Sequence, residues 1–194
     1  MASHPKLQSL IDKAVFDYAM IEDGDRILVG ASGGKDSTAL VEYFALRSLR
    51  PDCNFSYKAV AVQSDFAPAF PEGIARLFCE RGVPFEIIDV DVLARLKKGQ
   101  KMNCWWCSSQ RRLELSKYAQ EHGFNKIALG HHLDDILETV LMNALTKGEL
   151  AAMPPVLKFN KFPVTFIRPL CLADIPMIIR HAEMQGYISS TCTC

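Results

Sequence analysis

The period of the apolar positions changes several times along this chain, and each change marks an element. Leu7, Leu10, Ile11, Ala14, Val15 and Tyr18 recur three or four residues apart, so residues 5–20 are predicted to form an amphipathic helix. Pro5 suits its first turn. After a polar turn at 22–25, the run at 26–29 reads as a short buried strand. Ala39, Leu40, Val41, Phe44 and Ala45 return to helical spacing. That helix is expected to open near Asp36 and to end by Leu49, before Pro51. Residues 58–63 and 84–92 read as two more strands, separated by a helix at 71–81 that Gly82 closes. On that helix Ile74, Leu77 and Phe78 are expected inward, and Cys79 is expected in the core. A helix follows at 108–122, then a fourth strand at 126–130. Ile136, Leu137, Val140, Leu141 and Ala144 are expected to be the buried stripe of the next helix. Met153-Pro154-Pro155 interrupts the pattern. Residues 156–159 and 164–167 then pair around a turn at Lys161. Asp174 is placed to cap a last helix, with Pro176 in its first turn and Gly186 at its end.

Strands alternating with helices imply an α/β fold: a doubly wound, mostly parallel, Rossmann-like sheet with right-handed crossovers. A chain of 194 residues is expected to form one domain. There is no internal repeat, low-complexity stretch or interdomain linker.

Composition narrows the class. Hydrophobic residues make up 49% and charged residues 23%, as in ordinary globular proteins. No apolar run nears the roughly 18 residues of a membrane span, so no membrane partner is expected. Asp12, Lys13 and Asp17 interrupt any signal-peptide pattern, which makes a cytoplasmic protein the expectation. Lys plus Arg equals 22 and Asp plus Glu equals 22. Zero net charge argues against a broadly basic nucleic-acid surface, though not against a local basic patch. The seven cysteines are an odd number in an α/β chain of this kind. They point to metal or redox use rather than a disulfide framework.

The first chemical signal lies between the first strand and its helix, where residues 30–37 read G-A-S-G-G-K-D-S. Ser32, Gly33 and Gly34 are expected to present backbone N–H groups at a helix N-terminus, where the dipole favours an anion. Lys35 adds positive charge and Ser37 a hydroxyl. Asp36 beside phosphates implies an intervening Mg²⁺. A Walker A loop would need Gly at position 29 and Ser or Thr at position 36; Val29 and Asp36 stand there. In an open α/β sheet, ligands sit beyond the carboxyl ends of strands. Gln63, Ser64 and Asp65 are therefore either contacts for a nucleoside or a plain polar turn. Gly130 and His131 end the fourth strand, before His132, Asp134 and Asp135. Asp134 and Glu138 share a helix face. A metal or proton-transfer role suits one carboxylate, and favourable charge at a helix N-terminus is the other reading.

The second signal is Cys104-Trp105-Trp106-Cys107. Two thiolates at this spacing chelate a metal or one cluster corner; a redox dithiol is the competing reading. With Cys192 and Cys194, four thiolates make a Cys₄ zinc site, whereas three hold a [4Fe–4S] cluster with one iron open. The basic run at 95–101 reads either as a solvated loop or as a contact for a phosphate backbone.

S-G-G-K-D-S resembles the pyrophosphate loop of the PP-loop (N-type) ATP pyrophosphatases. The ordered set S-G-G-K-D-S, C-x-x-C-S-x-x-R-R, G-H-H-L-D-D-I-L-E-T, M-P-P and R-P-L resembles, more narrowly, the tRNA 2-thiocytidine synthetases. The resemblance runs from about residue 5 to the end. It implies that ATP–Mg²⁺ at residues 32–37 adenylates the C2 oxygen of a pyrimidine, and that sulfide on an open iron displaces AMP. It implies Cys104 and Cys107 as cluster ligands, with Cys192 or Cys194 as the third. Asp134 is the general acid/base or Mg²⁺ candidate, and Arg111 a neutraliser of phosphate charge. A sulfide donor such as a cysteine desulfurase system would act as partner. The family has a second C-x-x-C and then continues, whereas here C-x-C ends the sequence. With the neutral charge, that leaves tRNA bound across a homodimer, sulfur transfer or desulfuration on a smaller substrate, or a nucleotide-binding protein with structural zinc as alternatives.

Overall fold

The computed structural model describes residues 6–52, 54–96, 102–159 and 161–187, and the Cys104 side chain lies outside that description. In chain order the elements are α1 (Leu7–Asp17), β1 (Arg26–Gly30), α2 (Lys35–Arg47), β2 (Ser56–Ser64), α3 (Glu72–Glu80), β3 (Phe85–Val90), α4 (Cys104–Glu121), β4 (Lys126–Ala128), α5 (Leu133–Lys147), β5 (Val156–Phe159), β6 (Val164–Ile167) and α6 (Ile175–Met184). The six strands form one sheet in the order β3-β2-β1-β4-β6-β5. All neighbours are parallel except β5, which returns antiparallel on β6 with Val156 opposite Ile167. The expected doubly wound α/β sheet is therefore present.

Alternation along β1 shows how the layers form. Ile27 and Val29 enter a core with α1, α2 and α6, while Leu28 enters a second core with Leu115, Tyr118 and Ala119 of α4. Successive side chains of a strand point to opposite faces, so one short strand anchors both layers. A buried carboxylate joins the first layer. Glu42 of α2 accepts hydrogen bonds from Arg81 at 2.8 Å and from the Tyr187 hydroxyl, and it lies 2.8 Å from His181 Nε2. This fixes where the chain leaves α6.

Two expectations need correction. Cys79 is exposed rather than in the core. In α5, Leu137 and Leu141 are 53% and 62% exposed, so the expected buried stripe is split. Apolar residues occupy two adjacent rows of that helix. Ile136 packs against the first core, while the row Leu137, Leu141 and Leu145 faces out.

Winding reverses between β1 and β4, which pair with Val29 beside Ala128. The carboxyl end of this strand pair is a topological switch point, the crevice where ligands usually sit in such sheets. Leu115 packs over Gly30: a methyl built on Gly30 meets Leu115 Cδ1 and Leu129 Cδ2 at 3.3 Å. The turns of α4 before Leu115 therefore project past the carboxyl edge, alongside the crevice.

Candidate active site at the carboxyl edge of the sheet

The loop between β1 and α2 is self-braced. Ser37 Oγ donates to Gly34 O at 3.1 Å and accepts from Ser32 N–H at 3.1 Å, and the two hydroxyls lie 3.0 Å apart. Ser37 thus acts as an internal strut, leaving the shape of the loop to the glycines. Gly33 has φ +80°, and a methyl there would lie 2.5 Å from Pro71 Cδ and 3.3 Å from Phe70 Cε2. The loop after β2 is therefore packed directly on this turn. Gly130 closes the opposite wall. A methyl there meets backbone atoms of Ser37 and Asp36 at 3.3–3.4 Å, so the loop after β4 abuts the first turn of α2. Lys35 Nζ lies 3.1 Å from the Asp36 carboxylate.

Polar groups after β2 mostly serve their own loop. The Gln63 amide donates to three carbonyls, of Ser64, Ala67 and Pro68, at 3.1–3.2 Å. Asp65 accepts from the N–H groups of Val92 and Leu93, which holds its carboxyl below the usual range. Buried Ser64 Oγ has no hydrogen-bond partner among the described residues.

After β4, His132 is buried and acts as the α5 N-cap in a reciprocal box with Asp135, a pairing that satisfies two orphan donors. Asp134 accepts from the Ile175 N–H at 2.9 Å, tying the start of α6 to the start of α5. His131 Nδ1 is buried with no hydrogen-bond partner among the described residues. Burial, and then the Arg168 guanidinium, push its pKa down to about 4, so its ring is neutral at pH 7. With an unfolded pKa of about 6.5, protonation favours the unfolded chain as pH falls through the window between 6.5 and 4. The cost reaches about 3 kcal/mol near pH 4. Expected is a wild-type unfolding free energy that drops across this window and a flatter acid limb in His131→Asn; equal slopes in denaturant titrations would contradict the assignment.

Helix α4 begins earlier than expected, at Cys104, because Asn103 caps it by accepting from Trp106 N–H at 2.8 Å. Positions 104 and 107 therefore lie three residues apart on its first turn. Cys107 is 7% exposed, and neighbouring Trp106 packs with Val90 and Val92. Among the described residues no three His, Cys, Asp or Glu converge as metal ligands; Cys192 and Cys194 lie outside those residues, as does most of the basic run at 95–101. Cys171 is a core residue whose thiol burial pushes up to about 11, so it stays protonated at neutral pH. Arg111 Nε is buried without a partner among the described residues. Two arginines not assigned from sequence also reach this edge, Arg112 and the 5% exposed Arg168. Arg168 donates to Pro154 O while its Nε has no partner among the described residues. The signal available for it was the R-P-L triplet immediately after β6.

Residues 3–187 match the family model described as a PP-loop domain. The chain belongs to the PP-loop domain family. Among curated PP-loop relatives, a tRNA-cytidine(32) 2-sulfurtransferase of Alkalilimnicola ehrlichii is 40% identical over 192 residues, which is 97% of this chain and 61% of the relative. One from Dichelobacter nodosus is 40% identical over 187 residues, 94% of this chain and 69% of the relative. The chain thus spans about six- to seven-tenths of the length of these relatives. Among solved PP-loop-like structures, the U34-tRNA thiolase NcsA from Methanococcus maripaludis with its [4Fe-4S] cluster superposes with a TM-score of 0.78 at 24% identity, covering 97% of this chain and 66% of that one. An NH3-dependent NAD synthetase from Campylobacter jejuni gives 0.60 at 16% identity, covering 93% and 72%. Both likenesses are of fold. No described helix is long and apolar enough to cross a membrane.

Proposed function

We propose that this PP-loop chain is an ATP-dependent, iron–sulfur-cluster-dependent sulfurtransferase that adenylates and thiolates C2 of a pyrimidine in tRNA. What supports it is that the loop of residues 32–37 and the first turn of α4, which carries Cys104 and Cys107, both lie at the carboxyl edge of one sheet. The names of the 40%-identical relatives support the choice of reaction.

Gly33, Gly34 and the α2 N-terminus receive the phosphates of ATP, braced by Ser32 and Ser37. Lys35 neutralises phosphate charge and Asp36 holds Mg²⁺. Gln63, Ser64 and Asp65 shape the nucleoside wall, with the unpartnered Ser64 hydroxyl as the donor free for a ligand. Gly130 and His131 form the wall facing it. Arg111 stabilises charge on the pyrophosphate leaving group. Asp134 keeps one oxygen beyond its bond to Ile175 for proton transfer or Mg²⁺. Cys104 and Cys107, with Cys192 or Cys194, fit a cluster in donor chemistry, since cysteines three residues apart on one helix turn can ligate a single cluster. A cluster held by these cysteines would supply the chemistry that delivers sulfide to the activated base. Adenylation turns a poor leaving oxygen into a good one. A cytoplasmic setting, a cysteine desulfurase type of sulfide donor and a homodimer belong to the same proposal. The outward row Leu137, Leu141 and Leu145 supports the homodimer.

Metal content of protein purified without oxygen tests the reading. Expected are about four irons per chain and a broad absorption band of a thiolate-held cluster. About one zinc in a colourless protein would overturn it and make the cysteines structural.

A further inference from the structure

A cavity of ≈ 390 Å³ opens between α4 and the β5–β6 hairpin, and it shares no residue with the loop of residues 32–37. One end is cationic: Arg112, Arg168 and Lys161 all line it. None of the three has a carboxylate partner among the described residues. Both arginines line the same cavity, and burial, then the nearby Arg112, disfavours the charge on Arg168. Two guanidiniums held together without a counter-ion, one of them buried with a free Nε–H, are a costly arrangement that an anion relieves. The rest of the wall is aromatic. Phe159 and Phe162 lie parallel at 6.1 Å, and Phe166 meets Phe159 edge-on at 5.4 Å. Phe159 is 38% exposed although it belongs to a cavity wall. Aromatic faces of this kind serve as sequence-tolerant platforms for stacked bases, and the volume lies in the range of small-molecule sites.

We propose that this cavity is a pyrimidine-nucleotide pocket, with the base against Phe159 and Phe166 and the phosphate between Arg112 and Arg168. The identity of the base rests on the thiolation reading; the pocket itself does not. The neutral, unpartnered His131 also feels both guanidiniums, so the cationic end lies beside the loop after β4, next to the crevice. The phosphate has two sources, a free nucleotide or an RNA phosphodiester.

Calorimetric titration of anaerobically purified protein, with its ATP site filled by a non-hydrolysable ATP analogue, separates these cases. The probes are cytidine 5′-monophosphate, cytidine and inorganic phosphate. Expected is tighter binding of the nucleotide than of either part. Arg112→Gln, an exposed position that leaves the core intact, is expected to weaken the nucleotide at least tenfold and to leave cytidine unchanged. Phe159→Ala is expected to weaken both, and the exposed charge-matched control Lys147→Gln neither. Displacement of the nucleotide by a tRNA transcript assigns the RNA source, and co-occupancy assigns the free nucleotide. Equal nucleotide affinity in wild type, Arg112→Gln and Lys147→Gln would overturn the pocket, even in protein that thiolates tRNA. Arginine-dependent nucleotide binding in protein that fails to thiolate keeps the pocket and removes the reading of the reaction.

Discussion

Replacing Cys107 with alanine is expected to lower sulfur transfer by at least about a hundredfold, since loss of a metal ligand exceeds the effect of losing a group that only orients one. ATP affinity is expected to stay within about twofold, a few tenths of a kcal/mol. The two outcomes separate because two different elements carry them. ATP is assigned to the loop between β1 and α2, whereas Cys107 stands in the first turn of α4, next to Trp106, which packs with Val90 and Val92. Cys107→Ser is expected to fail as badly, because a hydroxyl is not a thiolate. Truncation at a 7% exposed site costs little in stability, about 1 kcal/mol for one buried atom lost, so the variant folds. If Cys107 were only a small buried hydrophobe, alanine would preserve transfer. Nucleoside mass spectrometry beside ATP calorimetry decides between the two.

Gly33→Ala is expected to weaken ATP about thirtyfold or more, near 2 kcal/mol. Two penalties coincide there. A left-handed φ of +80° costs a non-glycine residue about 1 kcal/mol. The new methyl would also sit 2.5 Å from Pro71 Cδ, with Pro71 Cγ at 3.0 Å. Proline is rigid, so the loop backbone must shift and carry the N–H groups off the phosphates. Gly82→Ala separates the two effects. Its φ is +64° and nothing lies within 4 Å of the added methyl. It should lower thermal stability by about 1 kcal/mol and leave ATP binding alone. Equal ATP affinity in Gly33→Ala and wild type would show that this turn does not hold the phosphates.

Much of the architecture was legible because hydrophobic period is a strong signal for buried strands and long helices. The strand–glycine-loop–helix at residues 26–47 needed only a buried run, two glycines and a return to helical spacing. The start of α4 was missed because Asn103 is a weak mark in sequence, and its capping bond makes a helix of what read as a loop around Cys104. In α5, two adjacent apolar rows look alike in one dimension, and only the position of the sheet decides that Ile136 turns in and Leu141 out. Cys79 shows the same limit on α3.

Site residues were legible as a set but not in their division of labour. Gln63 and Asp65 stand at the strand end where ligands gather, yet their polar atoms are spent on nearby backbone groups. Asp134 tethers α6 through a contact 41 residues away in sequence. Arg112 and Arg168 went unassigned because their joint meaning arises from long-range packing: α4 and the end of β6 bring two cations to one cavity.

The most direct measurement is ATP-dependent thiolation of tRNA by the anaerobic protein supplied with sulfide, with digested nucleosides read by mass spectrometry. Expected is a 2-thiopyrimidine that appears only with ATP, with one AMP and one pyrophosphate formed per sulfur incorporated. Cleavage of ATP to AMP and pyrophosphate with no sulfur in the RNA, in protein that carries its irons, would contradict it.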